Sequence, residues 1–143
     1  MVHGYPDHQD VWEVMIEQLV AHYYIVTYDV RGAGQSSAPR RIRDYKLARL
    51  ALDLKEVVHQ VIPNRKFHLV AHDWGSIQSW EAVTESSFRG QILSFNSISG
   101  PCLDHAAFWM REQFSKNKAK FTKQIFALLF LIQQQIKNLV NIC

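Results

Sequence analysis

The chain has 143 residues, which is enough for one domain, and its 48% apolar content is enough for a buried core. Its net charge of +3 is uneven: residues 1–112 carry −2, whereas residues 113–143 carry five lysines and no acidic residue. Because no recognised nucleic-acid motif surrounds these lysines, the charge indicates a solvated basic segment. We therefore expect no nucleic-acid partner.

The cysteines and the apolar runs limit where the chain can act. Cys102 and Cys143 are too few for a disulfide framework or a metal cluster, so we expect both to be reduced, with no metal and no cofactor. No charged region followed by an apolar stretch opens the chain, so no signal peptide is visible. The longest apolar run, 125–132, is far shorter than the ~20 residues that span a bilayer. We expect a cytoplasmic protein without a membrane span.

Strand-like and helix-like patterns alternate along the chain. Trp12, Met15, Ile16, Leu19 and Val20 share one helical face, and a longer amphipathic pattern ends at Pro63. The alternation predicts a parallel α/β sheet with helices on both faces. The expected strands are 24–28, 67–71 and 92–98, and the expected helices are 10–20, 45–61, 75–83 and 105–112, with a further apolar stretch at 126–140.

A strand-to-helix turn centred on Asp73 stands out within Ala71-His72-Asp73-Trp74-Gly75. A nucleophile held in such a turn needs small residues two positions before and two after it, and Ala71 and Gly75 meet that need. The pattern is that of a nucleophile elbow with aspartate in the place of serine. The alternative is an ordinary turn in which Asp73 only caps the following helix.

Two other motifs carry less weight. Gly32-Ala33-Gly34 follows an expected strand, but position 37 is serine and Pro39 stands where a helix is needed, so we do not expect dinucleotide binding. His68 and His72 lie four residues apart on one strand, about 13 Å, which is too far to share a metal ion.

Four motifs in order resemble the α/β-hydrolase family: His3-Gly4-Tyr5-Pro6, the segment 29–36, the Asp73 turn, and a helical segment after Gly100-Pro101. They are most similar to epoxide hydrolases, and especially to the hydrolase module of two-domain proteins in which that module precedes a short-chain dehydrogenase. The resemblance covers residues 2–112. It implies a partial α/β-hydrolase core over 1–104, and the start of a helical lid or an atypical tail over 105–143.

The resemblance also implies roles for the site residues. Asp73 is the expected nucleophile, and the main-chain N–H groups of Trp74 and Tyr5 are the expected oxyanion hole. An aspartate is ionised at neutral pH, so unlike serine it attacks without a base. The expected substrate is a small apolar epoxide, opened through an alkyl ester on Asp73 that water then hydrolyses. The supporting turn residues are His3, Gly4, Pro6, His72 and Gly75.

The chain departs from the family in what it lacks. The late histidine and its acid partner are missing, and all five tyrosines lie at or before Tyr45, so no lid tyrosine is available to protonate the leaving oxygen. The chain therefore resembles an internal fragment with about four central strands, and we expect it to be inactive alone and to self-associate through exposed strand edges.

Two alternatives to the epoxide hydrolase remain open. Trp74 beside the nucleophile also suits a haloalkane-dehalogenase-like hydrolase acting on an alkyl halide. The chain can also be a non-catalytic truncated fragment that keeps part of the fold. Arg31 is expected to form a structural ion pair or to fix a loop rather than to take part in catalysis.

Overall fold

The computed structural model describes residues 1–119, 121–123 and 125–126. Its helices are α1 (Glu13–Leu19), α2 (Leu47–Val61), α3 (Trp74–Thr84) and α4 (Leu103–Lys116), and its strands are β1 (Phe67–His72) and β2 (Ile92–Ile98). Short 3-10 turns lie at Gln9–Trp12, Ile42–Tyr45 and Ser86–Phe88. The chain forms two compact units, Met1–Cys102 and a second that begins at Leu103. The domain division expected after residue 104 stays a prediction.

The first unit is organised by a parallel sheet. β1 and β2 run parallel, with pairs from Phe67 and Ile92 to His72 and Ile98. On the other side of β1, Val2 makes parallel bridges to both Ala71 and Tyr28. The spatial order is therefore Tyr28, Val2, β1, β2, and the parallel α/β architecture expected from the sequence is confirmed.

The segment 24–28 is not a full strand, and that part of the secondary-structure prediction is wrong. Within the described residues only Tyr28 pairs, through its single bridge to Val2, while Tyr24 is 76% exposed. A strand needs a ladder of partners, and Val2 supplies one rung. An apolar, β-branched sequence is not sufficient without a neighbour to receive its hydrogen bonds.

The hydrophobic core lies between one face of the sheet and helices α2 and α3. The spacing of Ala51, Leu54 and Val58 turns one stripe of α2 inward, where these residues pack with Leu69 and Ala71 of β1. Helix α1 lies over the opposite face, because its residues border a cavity together with His72 and Ile98. Helices thus cover both faces, as the sequence predicts.

The second unit contains α4 and the helical residues that follow it. Glu112 and Lys116 form an ion pair one turn apart at 2.7 Å, and the ring of Phe114 meets that of Phe121 edge-to-face at 5.5 Å between centroids. Apart from its first residue, the apolar stretch expected at 126–140 lies outside the described residues. No helix in the part of the chain that the structure describes has the length and apolarity needed to cross a membrane.

Candidate active site

Asp73 stands between β1 and α3 in a strained conformation. Its φ of 52° and ψ of −126° fall in a region that L-residues rarely adopt. The backbone around it is fixed on both sides, because its N–H donates to the Ile98 oxygen at 2.8 Å and its own oxygen accepts from Ser76 N–H at 2.9 Å and Ile77 N–H at 3.1 Å. Hydrogen bonds to β2 and to the first turn of α3 therefore keep Asp73 in this strained conformation.

The Asp73 carboxylate points away from the helix that it precedes. It makes no side-chain capping bond to α3; instead its Oδ2 accepts the main-chain N–H of Tyr5 at 3.1 Å. Asp73 thus occupies the N-cap position of α3, but its side chain does not cap the helix. Among the described residues no hydrogen bond reaches Oδ1, so that oxygen remains available.

Two glycines allow the turn and the 3–6 segment to approach each other. A Cβ at Gly75 would lie 2.2 Å from the His3 oxygen and 2.5 Å from the Val2 oxygen, which are main-chain atoms and cannot move aside easily. A Cβ at Gly4 would lie 2.5 Å from Asp73 Oδ2. The small residue expected at position 75 is therefore required, and Gly4 is what lets Tyr5 reach the carboxylate.

His3 fixes the shape of this segment from within the core. The side chain is only 2% exposed, and its Nε2 accepts the Val30 main-chain N–H at 2.8 Å. Because a main-chain N–H only donates, the ring proton must reside on Nδ1, which donates to the Gly4 oxygen at 2.8 Å. His3 is thus committed to structure. The Tyr5–Pro6 peptide bond that follows is cis.

The other predicted site residues lie at the mouth of the turn. Trp74 is the first residue of α3, where main-chain N–H groups have no partner within the helix, and its side chain is 55% exposed. His72 is half-buried and borders a cavity of about 360 Å³ next to α1. Asp73, Tyr5, Gly4, His3, Trp74 and Gly75 thus belong to one small region.

None of the seven histidines, all of which lie in the described part, hydrogen-bonds to Asp73. His68 binds the Ser94 hydroxyl at 2.7 Å on the sheet face that His72 also occupies. The described residues likewise contain no group of three metal-ligating side chains.

Sequence reasoning missed the residues that hold the turn from the β2 side. Ser76 and Trp80 both donate to the Gly100 oxygen, at 3.1 Å each, and Ser76 also bonds to the Ser97 hydroxyl. A Cβ at Gly100 would lie 2.5 Å from the Asp73 oxygen. The contact of Gly100 with Asp73 has no local sequence signal.

The segment that follows Tyr28 supports the site without entering it. Arg31 binds the Asp53 carboxylate of α2 at 2.5 and 2.7 Å, and this carboxylate raises the pKa of the guanidinium. The expected structural ion pair is confirmed. Asp29 accepts the main-chain N–H groups of Gln9 and Gln35, each at 2.9 Å, and these bonds lower its pKa.

Known proteins match this chain both in sequence and in fold. The probable oxidoreductase EphD of Mycobacterium tuberculosis is 39% identical over 105 residues, 73% of this chain and 18% of EphD. Epoxide hydrolase A of the same organism is 30% identical over 139 residues, 96% of this chain and 41% of that protein. The solved epoxide hydrolase A of Mycobacterium thermoresistibile matches with a TM-score of 0.60 at 32% identity, over 66% of this chain and 29% of its own.

These matches cover most of this chain but only a part of each relative. The chain spans from about a fifth to two fifths of the length of these two curated relatives. The family model for the α/β hydrolase fold matches residues 1–130. This match, together with the epoxide hydrolases among the relatives, shows that the chain belongs to the α/β-hydrolase fold family and resembles its epoxide hydrolases.

Proposed function

We propose that this chain carries the nucleophile half of an epoxide-hydrolase site, with Asp73 as the nucleophile. The observation that carries the proposal is the state of the carboxylate: Oδ2 is held by the Tyr5 N–H, and Oδ1 accepts no hydrogen bond from any described residue. One oxygen is thus fixed and the other is free to attack. The names of the relatives supply the substrate class, an epoxide. That the epoxide is small and apolar is part of our proposal.

The first chemical step needs only the carboxylate and the strained ring. Asp73 Oδ1 attacks an epoxide carbon, the bond from that carbon to the ring oxygen breaks, and its electron pair passes to the oxygen as an alkoxide. The alkoxide then takes a proton from solvent. The product is a 2-hydroxyalkyl ester on Asp73, so the mass of the chain rises by the mass of the epoxide.

The second step would be hydrolysis of that ester. Water attacks the carbonyl carbon of Asp73, and negative charge develops on the oxygen that the Tyr5 N–H already contacts. The N–H of Trp74, at the start of α3, is the second proposed donor. A helix N-terminus favours such a charge, because its first N–H groups have no helical partner.

Hydrolysis also requires a base to activate the water. Within the described residues no histidine hydrogen-bonds to Asp73, and both ring nitrogens of His3 are already engaged. We therefore propose that the isolated chain forms the ester and stalls there.

The assignment is tested by intact-mass spectrometry after incubation with styrene oxide. We expect one adduct per chain in the wild type, a loss of at least tenfold in labelling for Asp73→Asn, and unchanged labelling for Asp104→Asn. Asp104 is an exposed aspartate at the start of α4 and serves as the matched control. Equal labelling of the wild type and Asp73→Asn would contradict the assignment, provided both have the same circular dichroism spectrum.

A haloalkane-dehalogenase-like activity is the second candidate, and the position of Trp74, next to Asp73 and 55% exposed, favours it. The same mass experiment with 1-bromobutane separates the two. Faster labelling by the bromide than by the epoxide, with the same dependence on Asp73, would favour the dehalogenase.

A further inference from the structure

Positive charge in the first unit is concentrated in the segment 40–49. It contains four arginines, one lysine and a single acidic residue, Asp44. Elsewhere in residues 1–102 the balance is reversed, with 5 basic and 10 acidic side chains. The segment is therefore a cationic patch in an otherwise acidic part of the chain.

Most of the cations in this patch have no acidic partner. Arg41 forms an ion pair with Asp44 at 3.0 Å on the surface. The other four basic side chains are exposed and form no ion pair with any described residue: Arg40, Arg43, Lys46 and Arg49. The patch is therefore open to an anionic partner.

The start of α2 adds to this positive potential. Lys46 is the residue that precedes the helix, and Arg49 lies in its first turn, where no acidic residue is present. The N-terminus of a helix carries a partial positive charge, so cations placed there are repelled and anions are attracted. An anion that approaches this end of α2 would offset the repulsion.

An apolar side chain protrudes among these cations. Ile42 lies between Arg41 and Arg43 in sequence and is 91% exposed. That is the largest exposed fraction among the large hydrophobic side chains that the structure describes. Water surrounds this side chain almost completely, so its transfer to an apolar environment is favourable.

The turn that carries Ile42, Ile42–Tyr45, is fixed to the rest of the first unit. Arg31 donates to the main-chain oxygen of Asp44 at 3.2 Å. The ring of Tyr45 lies against Gly32, where an added Cβ would be 2.8 Å from the ring. The exposure of Ile42 is therefore a property of an anchored turn.

We propose that the segment 40–49 binds the surface of an anionic lipid bilayer, where Ile42 inserts between the headgroups and the four unpaired cations contact lipid phosphates. A bilayer surface matches both features, because anionic headgroups there cover an apolar interior. The phosphate backbone of a nucleic acid would also attract the cations, but it offers no apolar layer to Ile42. None of these residues belongs to the proposed hydrolase site, so the inference does not depend on that chemistry.

The test is flotation of the full chain with lipid vesicles on a density gradient, in which protein aggregates do not rise with the lipid. We expect binding to phosphatidylcholine vesicles with about one third phosphatidylglycerol to be at least tenfold tighter than to phosphatidylcholine alone. Raising the salt from about 0.1 M to about 0.5 M should weaken the binding at least tenfold, because salt screens the ionic contacts. Equal binding to both kinds of vesicle would overturn the proposal.

Two charge-reversed variants locate the binding surface. Arg40→Glu combined with Arg43→Glu should weaken binding to the anionic vesicles at least tenfold. Arg65→Glu combined with Arg89→Glu makes the same change in net charge at two exposed arginines outside the segment, and should weaken binding by less than about threefold. Equal weakening by the two variants would show that binding follows net charge alone, which would also overturn the proposal.

A variant of Ile42 separates a lipid surface from other anionic partners. Ile42→Ser should weaken binding to the anionic vesicles by about tenfold, because the burial of the isoleucine side chain is lost. Val20→Ser is a similar change at a 60% exposed position outside the segment and should leave binding unchanged. If Ile42→Ser bound as tightly as the wild type, the lipid proposal would be wrong, and the patch would be assigned to a purely ionic partner such as a nucleic acid.

Discussion

Asp73 adopts a backbone conformation that costs about 1–3 kcal/mol for a residue other than glycine, and its neighbours keep it there. The Ile98 oxygen, the first turn of α3 and the Tyr5 N–H each hold one part of the residue. The close approach of Gly75 to residues 2 and 3 is a condition of this arrangement, because it brings the 3–6 segment against the turn.

We therefore expect Gly75→Ala to destabilise the fold by about 3 kcal/mol or more, because its Cβ would overlap two main-chain oxygens. Gly90→Ala is the matched control. Gly90 has a φ of 81°, but a Cβ added there would meet no atom within 4 Å, so only backbone strain opposes the change, and we expect a loss of about 1 kcal/mol. Urea unfolding of both variants measures the difference; equal losses would mean that the close contact at Gly75 is unimportant.

For individual residues, the sequence was informative where a structural requirement depends only on nearby positions in the chain. The need for small residues around a strained turn identified Ala71 and Gly75, because it depends only on positions two before and two after Asp73. The sequence could not identify the roles of His3 and Gly100, because their contacts join distant residues. His3 and Val30 are 27 positions apart, and Ser76 and Gly100 are 24 apart.

Among the elements, helices were easier to predict than strands for a physical reason. The hydrogen bonds of α2 lie within its own segment, so its apolar spacing was enough to identify it. The segment 24–28 has a strand-like sequence, but its bonds depend on another segment, and its single β-bridge among the described residues is the one from Tyr28 to Val2. β1 and β2 form because each has the other as a neighbour.

Asp29, which directly follows Tyr28, should make the stability of the fold depend on pH. Hydrogen bonds from Gln35 and Gln9 lower the pKa of Asp29, so the folded state favours its ionised form. This contribution is complete above the ordinary aspartate pKa of about 3.9, and it is lost as the pH falls through the lower value of the folded state. The wild type should therefore be more stable than Asp29→Asn at pH 6, and the difference should shrink towards pH 3.

Urea unfolding at both pH values provides the measurement, with Asp104→Asn as the control. Asp104 is exposed, so its variant should differ little from the wild type at either pH. A difference between the wild type and Asp29→Asn that stays constant from pH 6 to pH 3 would show that ionisation of Asp29 does not contribute.

For the whole molecule, the α/β architecture and the family were predictable because several motifs occur in a fixed order along one chain. The proposed chemistry is divided between what this chain holds and what it lacks. Asp73 and the Tyr5 N–H are held together, whereas no histidine hydrogen-bonds to Asp73 within the described residues.

The most direct test of this account counts the diol released per chain while intact mass follows the adduct. Purified chain is mixed with excess styrene oxide, and the labelled peptide is then mapped. We expect at most about one equivalent of epoxide consumed, a persistent ester on Asp73 and little diol. Sustained release of many equivalents of diol would contradict the proposed stall at the ester, because turnover requires a general base that activates water.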